Sequence, residues 1–142
     1  MSHFSIEPEV SGELGENTIM DHSVIPPKVL SLDFIFKVWL GDDIVECYPI
    51  FLVSERLKGY LEASAFSGFS IENCKIEVSD DFFMLQPHVQ LPPFFWLKIS
   101  GNQESDFFVD DKKLLTISER VLLDLKGKFN ISNAIINKVS SD

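Results

Sequence analysis

The chain has 142 residues, of which 45% are hydrophobic and thirteen are Phe, so it can form one folded core without disulfides or metals. Its 22 acidic and 12 basic residues give a formal net charge of −10, which disfavours binding to nucleic acid or to an anionic membrane surface. Residues 1–20 lack Lys and Arg, and no apolar run approaches the ~20 residues that cross a bilayer, so we expect a cytoplasmic protein.

The N-terminal part of the chain has little regular pattern. Residues 1–29 are predicted to be an irregular lead-in with one short strand at 3–6, because Gly and Pro interrupt every hydrophobic period. Apolar residues then alternate with others, and turn residues follow at 41–43. This pattern predicts an antiparallel hairpin between residues 30–40 and 44–48.

A strand-to-helix pattern occurs twice, at residues 51–61 and 115–125. With a shift of 64 residues, the sequence VSERL (53–57) aligns with ISERV (117–121). Two interpretations stay open: two unrelated helices that begin alike, or one αβ unit that is used twice.

Both copies are predicted to begin their helices at a serine. The hydroxyl groups of Ser54 and Ser118 can accept hydrogen bonds from backbone N–H groups of the first turn, and the next residue in each copy is a glutamate. Gly68 and Gly127 are the predicted stops. In either interpretation the two serines are structural caps and not nucleophiles.

The remaining elements complete an α+β prediction. Ser79 can cap a short helical turn at 82–85, which Pro87 ends. Further strands are predicted at 71–78, 94–99 and 134–136, with a frayed tail at 138–142. We therefore expect one domain over residues 1–142, with a mostly antiparallel sheet of five to seven strands and two main helices.

The residues that could carry catalysis or bind a cofactor are few. The three histidines, at positions 3, 22 and 88, lie in predicted loop or terminal segments, and no spacing matches a metal site. Cys47 and Cys74 are predicted to be free, buried thiols within strands. The segment 12–17 contains two glycines, but it lacks the Lys of a phosphate-binding loop and contains two glutamates, which would repel a phosphate. The sequence thus predicts no enzyme, no metal and no cofactor.

Acidic residues surround the aromatic clusters at 82–83, 94–96 and 107–108. One interpretation is that the aromatics form the core and the carboxylates lie in solvated turns. The other is a protein-binding face, with an aromatic centre and an acidic rim, that suits a cationic partner.

Several blocks in a fixed order carry a resemblance that covers nearly the whole chain. They are GELGENT (12–18), WLGDD (39–43), VSERLK (53–58), WLK (96–98) and ISER (117–120). The chain resembles a group of small bacterial proteins, and its SERLK block with a downstream Gly-Phe is similar to immunity proteins of bacterial polymorphic toxin systems. Some such proteins carry paired CxxCG metal motifs, which are absent from this sequence.

The resemblance implies a cytoplasmic antidote that binds and blocks a toxin from a neighbouring cell. It transfers no catalytic residue, and it implies that an acidic, aromatic-containing surface meets a basic toxin. The candidate contacts are Asp42, Asp43, Asp80, Asp81, Asp106, Asp110 and Asp111. The alternative function is a non-catalytic protein-interaction or structural domain of unknown role, of which a homodimer is one form.

Overall fold

The computed structural model describes residues 2–139, and within this range thirteen strands and three helices form an α+β fold, as the sequence predicts. The strands are β1 (His3–Glu7), β2 (Gly12–Leu14), β3 (Ile19–Asp21), β4 (Lys28–Ser31), β5 (Asp33–Phe36), β6 (Ile44–Cys47), β7 (Ile50–Ser54), β8 (Phe69–Glu72), β9 (Lys75–Val78), β10 (Phe94–Ile99), β11 (Phe107–Val109), β12 (Leu115–Ser118) and β13 (Ile135–Lys138). The helices are α1 (Glu55–Ala63), α2 (Asp80–Leu85) and α3 (Glu119–Lys128). None of these described helices is long and apolar enough to span a bilayer.

Two four-stranded antiparallel sheets follow the same plan. The first has the order β6-β7-β10-β8, and the second has the order β11-β12-β1-β13. Helix α1 follows β7 and α3 follows β12, at the same place in each sheet. The registers also agree, because β10 places Phe94 opposite Ser54 and β1 places His3 opposite Ser118. We call each sheet with its helix a unit.

The two units contact each other through equivalent residues. The hydroxyl group of Tyr60 in α1 donates a hydrogen bond to Oδ2 of Asp124 in α3, at 2.5 Å. These residues are 64 positions apart, which is the same shift that aligns the two serines. Contact between equivalent positions is the pattern of a two-fold interface, here within one chain. The structure thus favours one αβ unit used twice over two unrelated helices.

The main core lies between the two units. It joins Val53 and Leu57 of the first unit to Ile117 and Val121 of the second, all of them almost fully buried. A second core lies on the other face of the first sheet, where the third sheet, of order β2-β5-β9, packs with α2. Its largest fully buried side chains are those of Phe34, Phe36 and Phe82.

The prediction of an irregular lead-in is wrong, because residues 1–29 contain β1, β2, β3 and the start of β4. The glycines there permit close packing instead of breaking the structure. A Cβ atom on Gly12 would collide with the carbonyl oxygen of Ile35, and one on Gly15 would collide with the carboxylate of Asp33. The GELGENT block is therefore a packing segment around Asp33 and β5.

The predicted hairpin between residues 30–40 and 44–48 is also wrong. Strand β5 pairs with β2 and, in parallel, with β9, whereas β6 pairs with β7. The predicted strand at 71–78 is divided into β8 and β9, which belong to different sheets, and Cys74 lies between them rather than within a strand. The single sheet of five to seven strands is replaced by sheets of four, four, three and two strands, because chain segments far apart in sequence pair with one another.

The helix starts are confirmed, but neither predicted stop is. Ser54, Ser79 and Ser118 are the N-caps of the three described helices, and each side chain accepts a hydrogen bond from a backbone N–H group. Gly127 lies inside α3, which continues to Lys128, and α1 ends at Ala63 with Ser64 as its C-cap, before the chain reaches Gly68. Strands β10 and β13 match their predictions to within two residues, and positions 140–142 of the predicted frayed tail lie outside the described residues.

Candidate functional site

Ser54 belongs to a buried polar cluster at the start of α1. Its Oγ accepts from the N–H of Leu57 at 3.4 Å and donates to Oδ1 of Asp43 at 2.6 Å. Arg56 donates through Nε to Oδ1 of Asp43 at 2.9 Å and through Nη2 to Oδ2 at 2.6 Å. The N–H of Asn130 completes the set with a 2.7 Å bond to Oδ2.

Ser118 has the same surroundings at the start of α3. Its Oγ accepts from the N–H of Val121 at 3.4 Å and donates to Oδ1 of Asp106 at 2.7 Å. Arg120 donates to both carboxylate oxygens of Asp106, at 2.9 and 2.8 Å, and the N–H of Ser67 reaches Oδ2 at 3.0 Å. We call the two sets the Ser–Asp–Arg clusters.

Each cluster is completed by the loop that follows the helix of the other unit. The guanidinium of Arg56 lies 5.1 Å from the ring centre of Phe129, which follows α3. The guanidinium of Arg120 lies 5.0 Å from the ring centre of Phe66, which follows α1. The clusters therefore link the two units through charge-assisted hydrogen bonds and cation–π contacts.

The clusters are structural rather than catalytic. Burial by itself raises the pKa of Asp43, but the hydrogen bonds from Arg56, Asn130 and Ser54 outweigh it and hold the pKa below its usual range. Hydrogen bonds from Arg120, with smaller ones from Ser118 and Ser67, hold the pKa of Asp106 well below its usual range. A carboxylate so saturated with donors is a poor proton acceptor, so it does not activate the serine as a nucleophile.

Three of the predicted partner contacts are buried, which corrects the set. Asp43 and Asp106 belong to the clusters, and Asp42 accepts from the N–H and the side-chain amide of Asn133 at 3.0 and 2.8 Å. Their carboxylates bind within the chain and do not face a partner. Turn geometry does not reveal this, because the donors come from distant segments.

The other four predicted contacts lie at the surface. Asp80, Asp81 and Asp111 are exposed, and Asp110 is half-buried. Asp110 fixes its own turn, since its Oδ1 accepts from the N–H groups of two residues that follow it. Asp80 and Asp81 thus lie together at the start of α2, whereas Asp110 and Asp111 lie in a separate turn.

Helix α2 exposes three consecutive large apolar side chains. Phe83, Met84 and Leu85 are 64%, 81% and 69% exposed, while Phe82 is buried beneath them. Three adjacent apolar residues in water are unusual for a folded protein and mark sites of protein contact. We call Asp80, Asp81, Phe83, Met84 and Leu85, with the adjoining Leu40, the α2 surface.

Hydrogen bonds hold the α2 surface in place at both ends. The N–H of Ser79 donates to the carbonyl of Phe36 in β5, and Ser79 caps the helix. The side-chain amide of Gln86 binds both the N–H and the carbonyl of Trp39, at 2.8 and 2.7 Å. This pair of hydrogen bonds holds Trp39, and with it the exposed Leu40 that follows, next to the end of the helix.

The chain segment that contains α2 is acidic. No Lys or Arg occurs between Lys75 and Lys98 in the sequence, and no ion pair among the described residues involves Asp80 or Asp81. The α2 surface therefore combines an apolar centre with uncompensated carboxylates, the composition that suits a partner with both apolar and basic groups.

The cysteines are free and only half-buried. Burial raises the pKa of Cys74 to about 11, with Asp33 adding to the rise, and burial also raises the pKa of Cys47. Neither thiol therefore favours the reactive thiolate form. Among residues 2–139, no group of three or more potential ligands is placed to hold a metal ion.

No protein-family model, no curated protein and no solved structure matches the chain. The geometry of the α2 surface therefore carries the functional argument. The sequence indicated part of this surface, since residues 80–83 read as acids beside aromatics. It did not indicate that Met84 and Leu85 would be exposed, because that follows from how the third sheet packs against α2.

Proposed function

We propose that the protein is a cytoplasmic immunity protein that binds and neutralises a secreted bacterial toxin through the α2 surface. The observation that carries the proposal is the exposure of Phe83, Met84 and Leu85 next to two unpaired carboxylates. An apolar centre supplies slow dissociation, and negative charge speeds the approach of a basic toxin. The resemblance to immunity proteins supplies the class of partner.

The proposal also draws on the rigidity of the surface. Because Ser79 and Gln86 fix both ends of α2, the helix backbone that carries the apolar side chains does not have to be ordered when a partner binds. The chain's net charge of −10 suits a toxin with a basic cleft, such as one that acts on nucleic acid or nucleotides.

The direct test is protection of growing cells. We expect the gene for this chain to lie next to a toxin gene, and the product of that gene is expressed in a sensitive host, with and without the chain. We expect growth to be rescued by the wild-type chain and by Leu123→Ala, which removes an apolar side chain of similar exposure (62%) from α3. We expect the double variant Phe83→Ala/Met84→Ala to protect poorly while remaining folded.

Two outcomes would contradict the proposal. Failure of the wild-type chain to protect against, or to co-purify with, the neighbouring toxin would remove the immunity function. Full protection by the Phe83→Ala/Met84→Ala variant would remove the α2 surface as the contact. Self-association of the free chain that is lost in this double variant would instead support a homodimeric interaction domain.

A further inference from the structure

A groove of about 400 Å³ shares no lining residue with the α2 surface and lies between the β6–β7 turn of the first unit and the β11–β12 hairpin of the second. The β6–β7 turn contributes Tyr48 and Pro49, and the β11–β12 hairpin contributes Val109 and Lys113. The proline pair Pro26-Pro27, before β4, forms another wall. The volume falls within the range of small-molecule sites.

The groove combines an apolar floor with basic groups. Ile50 and Trp96 are apolar residues in its lining, and Lys28, Lys98 and Lys113 are the three lysines that line it. A quarter of the chain's 12 basic residues thus meet at one groove of a protein whose net charge is −10. The lining thus holds three lysines against two carboxylates, the reverse of the balance in the whole chain, where acidic residues outnumber basic ones.

Acidic groups cancel only part of this charge. Glu46 and Asp110 are the carboxylates in the lining. Burial raises the pKa of Glu46 to about 7, and Glu7 adds to the rise, so a large fraction of Glu46 is uncharged near neutral pH. Outside the groove, Lys98 pairs with the exposed Glu72 at 2.7 Å and also lies 4.8 Å from the centre of the Trp96 ring.

Lys113 occupies its place at a conformational cost. Its φ of 68° lies in the left-handed region, and it is the one non-glycine residue with a positive φ among the described residues. Hydrogen bonds from the N–H groups of Lys112 and Leu114 to Oδ1 of Asp110 hold the turn in this form. A lysine kept where glycine or asparagine would be less strained is a feature often found at functional sites.

From this geometry we infer that the groove binds a small molecule with an apolar body and one anionic group. The apolar body lies on Ile50 and Trp96, and the anionic group lies among the ammonium groups of Lys28, Lys98 and Lys113. This site is separate from the proposed toxin contact and does not depend on it.

Two fluorescent probes with the same rings test the inference. 8-Anilinonaphthalene-1-sulfonate carries a sulfonate, whereas N-phenyl-1-naphthylamine is its uncharged counterpart. We expect the sulfonate to bind the wild-type chain at one site and about tenfold more tightly than the uncharged probe, because it gains charge-assisted contacts. We expect the Lys28→Gln/Lys113→Asn variant to lose most of this difference and to bind the uncharged probe as before.

Matched variants locate the probe. Lys126→Gln removes an exposed lysine of α3 that is not part of the groove, and Phe83→Ser removes an apolar residue of the α2 surface. Neither should change the affinity for the sulfonate, and circular dichroism checks that each variant is folded. Equal affinity for the two probes, an unchanged affinity in the Lys28→Gln/Lys113→Asn variant, or loss of binding in Phe83→Ser would each overturn the inference.

Discussion

At the scale of single residues, the two buried carboxylates decide how the units are joined. Asp43 and Asp106 each accept from an arginine of their own unit and from a backbone N–H of the other unit. Hydrogen bonds to a buried charge contribute more than neutral ones, and an uncompensated donor left behind is costly. The clusters therefore make the fold sensitive to changes at these two positions.

We expect Asp106→Asn to lower the free energy of unfolding by about 2 kcal/mol, because it weakens the bonds to Arg120 and Ser118. Chemical denaturation measures the change. Asp80→Asn is the control, since this exposed residue should change stability by less than about 0.5 kcal/mol. A loss as small as that of the control would show that the Asp106 cluster has no structural role.

The same carboxylates predict the dependence of stability on acid. The pKa values of the two carboxylates in the folded chain are held below the ordinary aspartate value. At any pH between the folded-state and the ordinary pKa, the unfolded chain therefore binds more protons than the folded chain. Their contribution is thus present above about pH 4 and is lost as the pH falls further. Stability measured between pH 5 and pH 3 should fall less steeply in Asp43→Asn/Asp106→Asn than in the wild type. An equal slope would mean that other groups control acid unfolding.

At the scale of elements, the glycines divide into two kinds. Gly59 in α1 and Gly127 in α3 have no atom close to the place of a Cβ, whereas Gly12 in β2 lies against the backbone of Ile35. Helical glycine costs conformational entropy without serving a contact, whereas the strand glycine permits a close approach.

We therefore expect opposite effects from the same substitution. Gly59→Ala should raise the free energy of unfolding by about 0.5–1 kcal/mol, and Gly12→Ala should lower it by more than about 1 kcal/mol. Thermal unfolding compares the two variants with the wild type. Destabilisation by Gly59→Ala would contradict the open space at the place of a Cβ on Gly59.

Local signals in the sequence predicted the elements that depend on neighbouring residues. A helix cap needs a serine and the N–H groups of the next turn, so Ser54, Ser79 and Ser118 could be assigned without knowledge of the fold. The α+β class followed from the same short-range patterns.

Pairings between distant segments could not be predicted in this way. Nothing near Asp43 indicates Asn130, which lies 87 residues away, and nothing near β5 indicates that it pairs with β9. The candidate site was predicted in part for the same reason: the acids and aromatics of α2 are adjacent in sequence, but their exposure depends on the third sheet. The lysines of the groove come from three separate segments and gave no signal.

At the scale of the whole molecule, neither unit is complete alone. The second sheet contains β1 from the start of the described chain, and each Ser–Asp–Arg cluster uses the loop after the other unit's helix. The shared core between the units adds to this dependence. We therefore expect both units to unfold together.

This expectation can be measured with two probes. Both tryptophans, Trp39 and Trp96, pack in or against the second core beside the first unit, whereas far-ultraviolet circular dichroism reports on the whole chain. The unfolding curves from tryptophan fluorescence and from circular dichroism should coincide. Asp106→Asn in the second unit should shift both curves by the same amount. Separate transitions would mean that the two units fold independently.

The central claim, that the α2 surface binds a basic toxin, is tested most directly by the affinity of the purified chain for the toxin that we expect to be encoded beside it. We predict that Phe83→Ala and Met84→Ala each weaken binding by about 30-fold, which corresponds to about 2 kcal/mol, while Leu123→Ala leaves the Kd unchanged. We also predict that added salt slows association of the wild-type chain. Equal Kd values for the wild type and for both α2 variants, with a stable complex in every case, would contradict the claim.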